Sequence, residues 1–132
     1  MDLGQVIATS PVHSIPGSHW VIQSDADQAV PSGCFCVVQD GEETTVICRE
    51  EELPKFDGCE MRGPFALLQC RVAVPFEAPG FLARIASTLA EKQVSVFIVS
   101  TFSFDYVLVS GDERDTAIEL LRAAGFPIAA GV

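Results

Sequence analysis

The sequence predicts an α+β fold, and residues 67–126 carry the prediction. Apolar runs of strand length occupy residues 67–76, 94–101 and 106–109. Two further stretches, each preceded by turn residues, have apolar side chains at helical spacing. The resulting order is strand, helix, strand, strand, helix, in which a sheet and two helices can share one core.

Both predicted helices have an apolar face and defined ends. The first follows a turn that ends in Gly80, and the second begins near Asp112 or Asp115, either of which suits an N-cap. The second helix is expected to end at Gly125, with a proline two residues later. The apolar positions are Leu82, Ile85, Ala86 and Leu89 in the first helix, and Ala117, Leu120, Leu121 and Ala124 in the second.

The first half of the sequence predicts a similar order of strands and helices with shorter elements. Strands are expected at residues 20–23, 34–39 and 44–48, and the last two pair around an Asp40-Gly41 turn. Residues 50–53 can form one helical turn that Pro54 ends. The connection 24–33 is too polar and short for an amphipathic helix.

Turn-forming residues set the expected boundaries. Residues 1–19 are a lead-in rich in serine, proline and glycine, and residues 55–64 are the natural linker. The chain is thereby divided into a lead-in (1–19), a first unit (20–60) and a second unit (61–132). Residues 128–130 either add a final edge strand or fray.

Three segments resemble a known family. The residues Pro79-Gly80-Phe81-Leu82 resemble the P-G-x-L signature of ACT domains. The run 94–109, VSVFIVSTFSFDYVLV, resembles the ACT subfamily related to cytosolic arginine sensors and small bacterial ACT proteins. The stretch 44–54, TTVICREEELP, is similar to the run that closes the first of two units there. The resemblance implies a ferredoxin-like βαββαβ fold in two tandem ACT-like units, the first of them shrunken.

The resemblance also implies an amino-acid ligand, held near the P-G-x-L loop and the facing strand at an interface of two units. Two departures limit what it implies. The first unit has no P-G-x-L, so a second equivalent site is not expected. The subfamily often has an aspartate and a serine before its glycine, where this chain has Pro75 and Glu77, which counts against arginine specificity.

The turn into the first helix has the chemistry to hold a carboxylate. Pro79 is expected near the first helical position, which leaves the N–H groups of residues 80–82 without intrahelical partners. The helix dipole favours an anion there, and Gly80 lets a ligand approach the backbone closely. The alternative is that Gly80 serves only a tight turn.

The facing strand has the chemistry to hold an ammonium or guanidinium group. Asp105 supplies a carboxylate, and Ser100 and Thr101 supply hydroxyls. Alternatively, Asp105 only caps its own hairpin. The aromatic residues Phe81, Phe97, Phe102 and Phe104 are expected in the core or an interface. The complete predicted ligand-binding set is Glu77, Ala78, Pro79, Gly80, Phe81, Leu82, Ser100, Thr101, Phe102 and Asp105.

Composition limits the partners and the compartment. The net charge is −10, which disfavours nucleic acid and anionic membrane surfaces. Hydrophobic residues make up 48% of the chain, too many for disorder, yet no apolar run reaches the roughly 18 residues of a membrane span. The N-terminus has no signal-peptide pattern, so we expect a cytoplasmic globular protein.

Cysteine and histidine spacing predicts no metal site or cofactor. The five cysteines lack zinc-ligand spacing and are expected to be reduced, small and buried. His13 and His19 lie in the lead-in and are expected to be exposed loop residues rather than metal ligands.

No nucleophile elbow, phosphate loop or HExxH motif occurs, so an enzyme is not expected. The leading hypothesis is a non-catalytic amino-acid sensor or regulatory module. The alternative is a ligand-free structural or interaction module. Either one is expected to form a homodimer or a higher homo-oligomer, because apolar strands must avoid open edges.

Overall fold

The computed structural model describes residues 1–25 and 32–130. The elements are α1 (Leu3–Ala8), β1 (Val12–Ser24), β2 (Cys36–Gln39), β3 (Thr44–Arg49), a 3₁₀ helix (Glu50–Phe56), β4 (Glu60–Cys70), α2 (Phe81–Ala90), β5 (Phe97–Ser100), β6 (Asp105–Ser110), a second 3₁₀ helix (Gly111–Glu113) and α3 (Arg114–Ala123). The predicted α+β class is confirmed.

The chain forms two compact units. The larger unit consists of residues 1–16 and 66–132, and the smaller unit of residues 17–65. Each unit has its own apolar core, and β1 and β4 contribute residues to both units. The sequence analysis placed boundaries between residues 19 and 20 and between residues 60 and 61. These boundaries, and the arrangement of two tandem repeats that they imply, stay a prediction.

In the larger unit, β4 lies between β1 and β6, and β5 follows β6. The predicted hairpin is confirmed: β5 pairs antiparallel with β6, in a register that sets Phe97 opposite Leu108 and Ser100 opposite Asp105. One face of this sheet packs against the helices. Their shared core contains Leu68, Cys70, Phe81, Ile85, Leu89, Val107, Val109, Ala117, Leu121 and Phe126.

The predicted helices are confirmed, and a third helix was missed. Gly80 is the N-cap of α2, and Gly125 follows α3 with a φ of +103°, a conformation that glycine adopts without strain. Helix α1 has a capping box: the Asp2 carboxylate accepts from Gln5 N–H, and the Gln5 side chain accepts from Asp2 N–H. It packs Val6 and Ile7 into the larger core.

In the smaller unit, β3 lies between β2 and β1, and both pairings are antiparallel. The predicted turn is present: the Asp40 carboxylate accepts from the N–H groups of Glu42 and Glu43, and Gly41 has a φ of +88°. The core of this unit contains Ile22, Val46, Cys48 and Phe56. The 3₁₀ helix continues through Pro54 to Phe56, so the prediction that Pro54 ends the turn was wrong.

The strand predicted at 67–76 is displaced toward the N-terminus. Strand β4 begins at Glu60, inside the predicted linker, and ends at Cys70. Gly63 does not mark a turn there: a Cβ on it would lie 2.6 Å from Cδ2 of Trp20, so glycine is needed where the backbone passes the indole.

The lead-in prediction was wrong in structure. Residues 1–19 contain α1 and most of the 13-residue strand β1. His13 and His19 therefore lie in a strand, His13 half-buried and His19 only 3% exposed. The scattered prolines, serines and glycines conceal a strand that buries Val12, His19, Ile22 and Ser24.

Of the five cysteines, all free, only two are fully buried as predicted. Burial raises the pKa of Cys48 to about 11 and that of Cys70 to about 12. Cys34, Cys36 and Cys59 are half-buried.

At the C-terminal end, Ile128 makes an isolated parallel bridge with Val12 instead of forming a strand. The edge of β4 that a final strand would take is occupied by β1. The predicted polar connection 24–33 falls largely on residues 26–31, outside the described residues. No helix in the described parts of the chain is long and apolar enough to cross a membrane.

Candidate functional site

A cavity of about 410 Å³ lies in the larger unit, between the loop that follows β4 and the turn that joins β5 to β6. All of the predicted ligand-binding residues line it except Glu77. The lining residues outside the predicted set are Val72, Pro75, Phe76, Ala83, Ser103 and Phe104. The structure thus brings the P-G-x-L loop and the facing hairpin together, while ligand binding itself stays a prediction.

The loop of residues 71–80 leaves the sheet because the N-terminal segment takes its backbone hydrogen bonds. The Arg71 N–H donates to Pro11 O, and the Ala73 N–H donates to the hydroxyl of the buried Ser10, both over 2.9 Å. Pro75 has no N–H to donate, which also ends strand pairing. The loop is therefore fixed at its start by residues far away in sequence.

The turn into α2 differs in detail from the expected anion site. Helix α2 begins at Phe81 behind the N-cap Gly80, so Pro79 lies before the cap rather than at the first helical position. Of the three amides expected to be free, that of Phe81 donates to Ala78 O over 3.1 Å. Within the described residues, the amides of Gly80 and Leu82 have no backbone acceptor, and they remain as donors for a carboxylate at the helix N-terminus.

Gly80 is required by its conformation. Its φ is +86°, and a Cβ would lie 3.3 Å from Cδ2 of Leu3 in α1. The tight-turn role of Gly80 is therefore real, and it coexists with a position on the cavity wall.

Asp105 opens β6 and is half-buried beside the cavity. Its Oδ1 accepts a 2.7 Å hydrogen bond from the hydroxyl of Ser100, its cross-strand partner. The hairpin-capping alternative is thus correct for one carboxylate oxygen, and Oδ2 is left for another partner.

The turn between β5 and β6 is closed by Thr101. Its N–H donates to Phe104 O over 2.8 Å, and its hydroxyl also bonds the Phe104 backbone, at 3.2 Å to the carbonyl and 3.3 Å to the amide. The Thr101 hydroxyl predicted to serve a ligand is therefore engaged in holding the turn.

The aromatic residues divide between core and surface. Phe81 is buried against Phe126, as predicted, with ring centroids 5.6 Å apart. Phe104 is half-buried, with the guanidinium of Arg71 5.2 Å from its ring centroid. Phe97 and Phe102 are 43% and 80% exposed, so they do not lie in the core, and their place in an interface stays a prediction.

Sequence reasoning missed Phe76. This residue is 81% exposed, has a φ of +67°, and makes an edge contact with Phe102 across two loops, with ring centroids 5.2 Å apart. The available signal was Pro75, which disfavours a strand through this point and leaves the next phenylalanine in a loop.

The electrostatics of the cavity are simple. Among the described residues that line the cavity, Asp105 is the only acidic one, and none is basic. Within residues 1–25 and 32–130, no cluster of three or more potential metal-binding side chains occurs.

Residues 62–123 match the family model of the ACT domain. The match covers β4 to α3 and contains every residue that lines the cavity. A 47-residue segment is also 43% identical to the cytosolic arginine sensor for mTORC1 subunit 1 of Rattus norvegicus. That segment is 36% of this chain and 14% of the relative, so the chain corresponds to a small part of that protein.

Solved structures share the fold. A protein of unknown function from Vibrio cholerae has a TM-score of 0.78 at 19% identity, over 94% of this chain and 96% of that one. The regulatory subunit of aspartate kinase from Thermus thermophilus has a TM-score of 0.66 at 11% identity, over 89% of this chain and 97% of that one. The predicted ferredoxin-like ACT fold is confirmed, whereas the tandem repeat stays a prediction.

Proposed function

We propose that this protein is a non-catalytic regulatory module that binds a free amino acid in the cavity between the α2 turn and the β5–β6 hairpin. The observation that carries the proposal is that the lining residues combine hydrogen-bond donors with a carboxylate. Gly80, Leu82 and Asp105 all line the cavity, and within the described residues the amides of Gly80 and Leu82 have no backbone acceptor. An α-amino acid offers the matching carboxylate and ammonium groups.

The comparisons support the proposal at the level of the family. The segment that matches the ACT domain contains the described residues that line the cavity, and a protein similar to 47 residues of the chain is named as an arginine sensor. The resemblance in sequence implies the same loop as the ligand site. We propose a cytoplasmic location and no nucleic-acid or membrane partner, since the net charge is −10.

A second candidate function is assembly without a ligand. It is favoured by exposed apolar residues on the two edge strands, β2 and β5. Val37 and Val38 on β2 are 40% and 53% exposed, and Phe97 on β5 is 43% exposed. Unpaired edges of this kind associate readily. We propose a homodimer or higher homo-oligomer under either function, and light scattering with and without amino acids separates an inert assembly from a ligand-dependent one.

A thermal-shift panel of the twenty amino acids tests the proposal. A ligand at about 100 times its dissociation constant stabilises the protein by roughly 2.7 kcal/mol, which raises Tm by several degrees at this size. Asp105→Asn is expected to abolish the shift, because it removes the carboxylate that pairs with the ammonium group.

Asp112→Asn is the matched control. Asp112 also accepts a hydrogen bond from a nearby serine hydroxyl, that of Ser110 at 2.6 Å, but it does not line the cavity. If no amino acid raises Tm, or if both variants respond as the parent does, the proposed site is wrong.

A further inference from the structure

We propose that the cavity selects zwitterionic amino acids with a neutral apolar or aromatic side chain, and that Phe76 and Phe102 are the residues that determine this specificity. The inference rests on the proposed function, because it names the ligand class of the same site.

The charge of the cavity argues against acidic ligands. Among the described residues that line it, the Asp105 carboxylate is the only acidic side chain, and none is a lysine, arginine or histidine. Arg71 lies beside the site, over the Phe104 ring, and its Nε donates to Gln69 over 2.7 Å. A second carboxylate on the ligand would therefore meet one negative charge and no lining cation.

The single carboxylate of the cavity argues against cationic side chains. The Ser100 hydroxyl uses one acceptor site of Asp105, and the one negative charge of this carboxylate is balanced by the α-ammonium group of the ligand. The Thr101 hydroxyl is engaged with the Phe104 backbone, so Ser103 is the one lining hydroxyl that remains. A ligand whose α-ammonium takes Oδ2 would place a second cation against walls that are largely apolar, where an uncompensated charge is costly.

The aromatic pair provides the apolar contact. Phe76 and Phe102 are 81% and 80% exposed, and their rings meet edge to face at 70°. They come from the two loops that form the cavity, and both line it. Phe76 has a φ of +67°, which a bulky side chain rarely adopts, so its backbone conformation has an energetic cost. An apolar ligand side chain in contact with these rings would bury apolar surface that is otherwise exposed to water.

Isothermal titration of the full chain with leucine, phenylalanine, arginine and glutamate tests the inference. Leucine or phenylalanine is expected to bind at least about tenfold more tightly than arginine or glutamate. Phe102→Ala is expected to weaken the binding of the preferred ligand roughly tenfold. Phe76→Asn is expected to do the same, and asparagine tolerates the positive φ.

Phe97→Ala is the matched control, because Phe97 is an exposed phenylalanine of the same hairpin that does not line the cavity. It should bind as the parent does. Arginine or glutamate binding as tightly as leucine and phenylalanine would overturn the specificity and leave the amino-acid site standing. Equal affinities of the Phe102→Ala and Phe97→Ala variants for the preferred ligand would show that the Phe102 ring does not contribute to binding. Absence of binding by all four, together with silence in the thermal-shift panel, would overturn the proposed function itself.

Discussion

At the residue scale, His19 is the group whose environment departs furthest from its expected one. It is 3% exposed in β1, it lies across from Arg49 on β3, and its ring makes an edge contact with Phe35 at 6.1 Å. Among the residues that the structure describes, none is a hydrogen-bond partner of its Nδ1. Burial lowers the pKa of His19 below 6.5, the positive charge of Arg49 lowers it further, and Glu51 partly opposes both.

We predict that acid destabilises the protein through His19. The folded-state pKa lies below the unfolded-state value, so the unfolded chain binds more protons, and stability that is complete above pH 6.5 is lost as the pH falls toward the folded pKa. Urea unfolding between about pH 7.5 and pH 5 measures the loss. His19→Phe, which cannot titrate, should flatten the dependence in this range. An unchanged slope in that variant would show that other groups cause the loss.

At the element scale, strand β4 contains Gly63, a glycine whose role is not evident from the neighbouring sequence. Gly63 and Pro64 suggest a linker when β4 is considered alone. In the structure, the missing Cβ of Gly63 makes room for the indole of Trp20 in β1. Nonlocal packing of this kind leaves no periodic signal in the sequence.

We predict that Gly63→Ala destabilises the protein by about 1–3 kcal/mol, because the new Cβ would lie 2.6–3.0 Å from three atoms of the Trp20 ring. The free energy of unfolding in urea is the measurement. Gly4→Ala in α1 is the control: its Cβ meets only an Asp2 carboxylate oxygen at 3.4 Å, and alanine favours helix. Equal stabilities of the two variants would contradict the packing argument.

The elements that the sequence predicted well are those with strong local signals. Helix α2 is marked by Gly80 and by Ile85 and Leu89 one turn apart, and the β5–β6 hairpin by two apolar runs around a short turn. Strand β1 was predicted only at residues 20–23, because its earlier residues resemble a loop and its pairing with β4 involves distant residues. The end of β4 at Cys70 was missed because it depends on hydrogen bonds that the Arg71 and Ala73 amides donate to Pro11 and Ser10.

At the scale of the whole molecule, the candidate site was located by resemblance and refined by structure. The P-G-x-L loop and Asp105 lie 23 or more residues apart in sequence, and the order of elements brings them to one cavity. Two details needed coordinates. The amide of Phe81 is used within the turn, and the exposed ring pair includes Phe76, whose role no local pattern indicated. The charge of −10 is compatible with a site for small molecules rather than for nucleic acid.

The measurement that tests the central claim most directly is the change in backbone amide NMR shifts on saturation with the tightest-binding amino acid of the panel. The predicted result is a set of perturbed amides concentrated in residues 78–83 and 100–105, with Gly80 and Leu82 among the largest changes because we propose their N–H groups as donors to the ligand carboxylate. Perturbations confined to β2 or other residues of the smaller unit, or no perturbation by any amino acid, would contradict the claim that this cavity is the binding site.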